Sequence, residues 1–150
     1  MICSGRLPGS GAAVRIEFES RIAAVSAAAS EEAGESFLAP GWIDLQVNGF
    51  AGVDYNDAAT PHEEIGRSIR ALRATGVTRF FPTVITGPFE RMAGALANLA
   101  AARARIPEGE SIEGLHLEGP YISPEEGPRG AHPREWVRTP DLDEFERLQE

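Results

Sequence analysis

Lysine is absent from the 150 residues, and all 14 cationic side chains are arginine. Schiff-base chemistry on lysine is therefore closed to this chain, and so is a Walker-type phosphate loop, which requires Gly-Lys-Ser/Thr. Cysteine occurs once, at Cys3, which excludes an intrachain disulfide and a thiolate metal cluster. Positive charge is scarce: the formal net charge is −9, the wrong sign for a nucleic-acid surface, so no nucleic-acid partner is expected. No apolar run approaches the roughly 20 residues of a membrane span. Met1 to Arg6 also lacks the apolar core of a signal peptide, so no membrane partner and a cytoplasmic location are expected. Neither Gly-x-Gly-x-x-Gly nor Gly-x-Ser-x-Gly occurs, which removes the motif support for a dinucleotide site or a serine-hydrolase elbow.

What remains is an ordinary globular composition, 42% hydrophobic and 25% charged. The length suits one modest domain and falls short of a closed eight-stranded βα barrel, which takes roughly 250 residues. The first 40 residues read as a small β layer. Val14, Ile16 and Phe18 alternate with Arg15, Glu17 and Glu19, as in a strand with one wet face. Pro8 to Gly11 is a turn, Arg21 to Val25 a further strand, and Ala27 to Ser36 a surface connection.

From Gly41 the pattern changes. Ile43, Leu45 and Val47 lie on one side of a strand, Asp44, Gln46 and Asn48 on the other. A barrel strand would set the aliphatic trio against helices and the polar trio inside; an antiparallel strand with a wet face has the same period. The Gly49 to Gly52 loop suits close backbone approach. Thr60, Pro61 and Glu63 spell a capping box ahead of a helix with the stripe Ile65, Ile69 and Leu72, ended by Gly76. His62, in its first turn, is expected to face solvent. Thr78 to Ile85 reads as a strand covered on both faces, with Pro82 as the objection. Gly87-Pro88 opens a helix carrying Phe89, Met92, Leu96 and Leu99, and Ile112 to Glu118 is a third strand. Thr139-Pro140 opens a last helix carrying Leu142, Phe145 and Leu148. The order β-α-β-α-β-loop-α argues a parallel α/β sheet.

The stretch with most chemistry is Gly114 to Pro133, GLHLEGPYISPEEGPRGAHP. Leu115 and Leu117 share one face of its strand, His116 and Glu118 the other. Gly119 and Pro120 then open a long polar loop. A carboxylate at the C-terminal end of a parallel strand stands where α/β folds bind ligands, so Glu118 is the leading site candidate. His116 lies one layer deeper and reads as a core or supporting residue, with direct ligation as the alternative. His132, between a Gly-rich loop and Pro133, reads as exposed or at a loop edge; Arg129 nearby would favour an anionic group.

Together with Pro40 to Gly49, PGWIDLQVNG, this stretch resembles the N-acetylglucosamine-6-phosphate deacetylase family of the amidohydrolase superfamily, over Leu38 to Glu150. The resemblance implies an α/β fold: the first three βα units of an incomplete (β/α)8 amidohydrolase barrel, preceded by a small β layer. Residues 1–40 would be part of a small β-sandwich and residues 41–150 the N-terminal part of a metal-dependent barrel. It implies hydrolysis of the acetamide of N-acetylglucosamine 6-phosphate, giving glucosamine 6-phosphate and acetate. Glu118 would ligate one divalent metal ion, zinc by expectation. Where many amidohydrolases carry His-x-His, this chain has Gln46-Val47-Asn48, and amides are poor zinc ligands, so a second metal is not expected. Gln46, Asn48 and His116 would support the site without ligating; Ala131 and His132 would contact the amino-sugar phosphate. No catalytic residue is expected within these 150 residues. The general-base Asp and two further metal-binding His residues would lie downstream, and a phosphate-binding Arg would come from the other subunit of a homodimer. The chain alone is accordingly expected to be inactive. Another amidohydrolase acting on a different amide is the first alternative, and the GAH segment argues against it; a non-catalytic remnant is the second.

Overall fold

At the N-terminus three short strands form around the one in which apolar and charged residues alternate. In the computed structural model, which describes all residues from Met1 to Glu150, β1 (Ile2–Arg6), β2 (Ala13–Phe18) and β3 (Ile22–Ala27) make an antiparallel sheet in that order. Gly9 and Gly11, both at positive φ, turn the chain between β1 and β2. One side of this layer carries an apolar hollow of about 530 Å³ lined by Cys3, Leu7, Ile16, Phe18, Ile22 and Leu38, among others. Every residue of β3 is exposed. The expected connection after it contains a one-turn helix, α1 (Ser30–Ala33). Glu31 and Glu32 suit its positive N-terminal end, and Gly34 stops it at φ 57. These elements lie within the first of two units into which the chain divides, Met1–Pro40 and Gly41–Glu150.

The second unit is α/β. Strands β4 (Trp42–Val47), β7 (Val77–Ile85) and β8 (His116–Glu118) run parallel in the order β4-β7-β8, so β7 is central. Between β4 and β7 come a hairpin, β5 (Gly49–Phe50) with β6 (Val53–Asp54), and helix α2 (His62–Arg73); between β7 and β8 comes α3 (Phe89–Arg105). Ile65, Ile69 and Leu72 of α2 and Met92, Ala95 and Leu99 of α3 bury their stripes together with Phe80 and Val84 of β7. No helix is long and apolar enough to cross a membrane.

Several local expectations are corrected. Only Val47 of the β4 trio is buried; Ile43 and Leu45 are 57% and 69% exposed. The reason is position: β4 is an edge strand, and the helices pack on β7. Thr60 does not cap α2. Its hydroxyl donates to the Asp54 carbonyl at 2.8 Å, tying β6 to the helix start, and Pro61 occupies the cap position without a side-chain bond. His62 is half-buried rather than solvent-facing, with Nε2 3.0 Å from Asn98 Oδ1 on α3. The Gly49 to Gly52 segment is strand β5 and the turn that follows it, with Ala51 at φ 52 and Gly52 at φ 81, the paired positive angles that suit a two-residue turn. Its close approach is to its own chain: a Cβ on Gly49 would stand 2.4 Å from the Val53 oxygen.

Pro82 sits within the central strand at an irregularity of the β4–β7 register, where a missing N–H is tolerated. There the Val47 N–H donates to the Thr83 hydroxyl at 3.1 Å. The third strand is shorter than its pattern suggests. Ile112 bridges Phe80, but one more residue separates Ile112 from His116 than separates Phe80 from Thr83, so the ladder breaks and resumes. The last helix, α4 (Leu142–Arg147), is capped by Asp141, which accepts from the Glu144 N–H at 3.0 Å. Leu142 and Phe145 remain exposed.

Asn56 joins the strand ends. Its amide donates to the Asn48 and Thr83 carbonyls, both at 3.3 Å, and its oxygen accepts from the Ile85 N–H at 2.7 Å. It is 6% exposed. Asn56→Ala should destabilise the second unit by about 1–3 kcal/mol, the cost of leaving a buried backbone group unpaired. Chemical denaturation followed by circular dichroism checks this; an unchanged midpoint would show that water replaces the amide without cost.

Candidate active site

In a parallel α/β sheet the C-terminal strand ends all open on the same side, and this is where the polar residues of the second unit converge. A cleft of about 600 Å³ is lined by Gln46 of β4 and Asn48 just after it, Ile85 of β7, Glu118 of β8, and Ile122, Arg129, Ala131 and His132 of the following loop. The strand period brings Glu118 here: Leu117 between His116 and Glu118 packs against the core while the carboxylate reaches the opening.

Glu118 has its two oxygens differently engaged. Oε2 accepts from the Asn48 side-chain amide at 3.4 Å, and Oε1 lies 3.5 Å from His132 Nε2. The Glu118 side chain is 31% exposed and that of His132 14%. His132 is thus folded over Glu118 rather than standing at an exposed loop edge. Its ring is held from behind by Thr86, whose Oγ1 is 2.9 Å from Nδ1. Arg129 donates to the His132 carbonyl at 2.5 Å and locks the loop turn. Ala131 is exposed and lines the cleft.

Gln46 lines the cleft and is exposed. His116 bonds to the neighbouring strand and does not line the cleft: its Nδ1 lies 3.2 Å from Thr83 Oγ1, the hydroxyl that also accepts from Val47 N–H. No three His, Cys, Asp or Glu side chains come together as a metal-binding group. Within this chain the donors at the cleft are therefore one carboxylate and one imidazole, flanked by two amides. That set suits one corner of a divalent-metal site and is short of the three protein ligands a catalytic zinc takes.

Comparison with known proteins shows what the chain is similar to. No protein-family model matches the chain. It is 39% identical over 119 residues to the N-acetylglucosamine-6-phosphate deacetylase of Bos taurus, a match covering 77% of this chain and 28% of that enzyme. The solved N-acetylglucosamine-6-phosphate deacetylase of Thermotoga maritima superposes with a TM-score of 0.77 at 28% identity, over 98% of this chain and 39% of the other. A mutant of the Mycobacterium smegmatis deacetylase, solved in complex with N-acetyl-D-glucosamine-6-phosphate, superposes with a TM-score of 0.76 at 25% identity, covering 99% of this chain and 39% of that one. The chain resembles the N-terminal portion of the N-acetylglucosamine-6-phosphate deacetylases. It spans little more than a quarter of the length of the curated relatives.

Sequence reasoning missed three residues whose hydrogen bonds support the cleft. Thr83 sits in a run that reads as plain buried strand, Thr86 directly follows that run, and Asn56 lies in a polar stretch with no motif. A signal existed only for Thr86, a hydroxyl placed directly before the Gly87-Pro88 break. Also missed was the clamp on the loop. Arg138 bonds both oxygens of Glu144, with Nε to Oε2 at 2.8 Å, and donates to the Gly87 carbonyl at 3.2 Å. Tyr121 donates to Glu144 as well, at 2.9 Å.

The clamp has a pH signature. The Arg138 guanidinium bonded to Glu144 holds its carboxyl below the ordinary value of 4.5, and the Tyr121 hydroxyl adds to this. A carboxyl lowered on folding stabilises the fold above its unfolded pKa, and that contribution is lost as pH falls through the lowered value. Acidification below the ordinary glutamate range should therefore open the 119–141 loop. Amide exchange of this loop against pH is the measurement. Glu144→Gln should show the loosened loop already at neutral pH with no further acid step; an acid step identical to wild type would assign it to another group.

Proposed function

We propose that this chain forms the N-terminal part of a metal-dependent hydrolase that removes the acetyl group of N-acetylglucosamine 6-phosphate, releasing glucosamine 6-phosphate and acetate. The observation that carries the reading is the convergence of Glu118, His132 and Asn48 at one cleft, in a chain similar in sequence and fold to these deacetylases. In this reading residues 41–150 are the first three βα units of a (β/α)8 barrel, residues 1–40 belong to a small β-sandwich, and the full-length protein is a homodimer.

Each side chain then has a task. Glu118 is the anionic ligand of one divalent ion, zinc by the family resemblance, with Asn48 holding its second oxygen. When bound, the ion would supply Lewis-acid polarisation and a nucleophile drawn from water. The remaining ligands and the general base would come from residues beyond this chain. Gln46 and Asn48 stand where a second metal's imidazoles would be and offer amides instead, which favours a single ion. Ala131 and His132 face the substrate, His132 contributing hydrogen bonding from a ring already fixed in place. His116, bonded to Thr83 a layer below, supports the strand end.

The alternative of a different amide substrate is tested by comparing acetate release from N-acetylglucosamine 6-phosphate with hydrolysis of unphosphorylated and non-sugar amides. Loss of preference for the phosphosugar would favour that alternative. The 150-residue chain by itself should release no acetate with added zinc, because its cleft gathers only one carboxylate and one imidazole. Turnover above a metal-only control would mean the site is built differently.

In the full-length enzyme, Glu118→Gln should remove metal and activity together, by more than the roughly 10–100-fold typical of losing an outer partner. His116→Gln should stay within that range and retain metal. Elemental analysis beside turnover decides: full occupancy and rate in Glu118→Gln would reject Glu118 as the ligand.

A further inference from the structure

Thr86 is fully buried, and its hydroxyl lies 2.9 Å from His132 Nδ1 and 3.3 Å from the Glu118 carbonyl: its one proton goes either to the imidazole nitrogen or to the carbonyl, and in the second case the oxygen accepts from an Nδ1–H. The imidazole nitrogen is the nearer. With the Thr86 proton on that bond, neutral His132 carries its own proton on Nε2, the nitrogen 3.5 Å from Glu118 Oε1. The opposite assignment sets an Nε2 lone pair against a carboxylate with no proton between them, in a half-buried cleft where such repulsion is poorly screened. Gly119 makes the arrangement possible. It holds φ 86, and a Cβ there would stand 2.1 Å from Thr86 Oγ1 and 3.8 Å from His132 Nδ1.

We propose that Thr86 is a positioning residue whose hydroxyl holds His132 in the Nε2–H tautomer, so that the ring faces the cleft as a hydrogen-bond donor to an amide or phosphate oxygen. This rests on the reading of His132 as the substrate-facing imidazole, but its first test does not need the reaction.

The test is the ring-nitrogen spectrum of the 15N-histidine-labelled chain at about pH 8.5, well above the ordinary histidine pKa of about 6.5. The His132 signals are assigned by their loss in His132→Gln. The wild type should show a single Nε2–H tautomer with a hydrogen-bonded Nδ1, and Thr86→Ser should keep it. Thr86→Val, equal in shape but without the hydroxyl, should give a mixed-tautomer ring with a free Nδ1. An Nδ1–H wild type, or a Thr86→Val spectrum equal to wild type, overturns the proposal. Should Thr86→Val fail to fold, as seen by circular dichroism, the wild-type and Thr86→Ser spectra still decide the tautomer. In the full-length enzyme Thr86→Val should lower kcat about 100-fold, as misplacement of a catalytic group does, with Thr86→Ser near wild type. A tautomer result as expected without deacetylation would reject the proposed substrate and leave the role of Thr86 standing.

Discussion

Three pairs between β7 and β8 decide where the chemistry of this chain stands: Thr83 with His116, Val84 with Leu117, and Ile85 with Glu118. Side chains in a strand alternate faces, so a slip of one residue would turn Glu118 into the core and Leu117 into the cleft. The register is held from both sides. Val84 is buried and Leu117 packs against the same core, which makes the slipped arrangement costly. The Thr83 hydroxyl meets His116 on one side and Val47 on the other, linking all three strands at one level. Asn56 adds a second tie between the end of β4 and the end of β7.

On that platform the long loop after β8 is positioned by charge and hydrogen bonds more than by apolar burial. Arg138 links the loop to Glu144 of α4 and to the turn before α3, while Arg129 closes the short turn that carries His132. The outcome is that His132, 14 residues beyond Glu118 in sequence, returns to lie beside it. A strand residue and a loop residue so joined can act on one ligand. Rigid strand ends set the carboxylate, and the clamped loop sets the imidazole.

Much of the second unit was legible because its helices are strongly periodic. Ile65, Ile69 and Leu72, and Met92 with Leu99, announce buried stripes from spacing alone, and the alternation of β and α elements implies a parallel sheet. The misreadings have a common origin. Thr60, Thr139-Pro140 and the full length of Ile112 to Glu118 are local patterns, and each was overridden by a competing partner: a neighbouring residue in the first two and a strand far along the chain in the third. Thr60 is engaged by Asp54, Asp141 caps α4 instead, and the β8 ladder is interrupted where the spacing against β7 changes. Ile43 and Leu45 show the same limit, since period two identifies a face without saying what covers it.

For the site, the sequence alone determined that Glu118 and His116 share a strand face, that Glu118 ends it, and that the flanking segments resemble a deacetylase motif. Those follow from the two-residue period and from residue identity. Only the tertiary structure decided that His132 closes over Glu118, that His116 turns to Thr83, and that Thr86 and Asn56 take part at all. Each of those depends on a hydrogen bond spanning tens of residues along the chain or on a loop folded back on its strand, and neither periodicity nor local propensity carries such contacts.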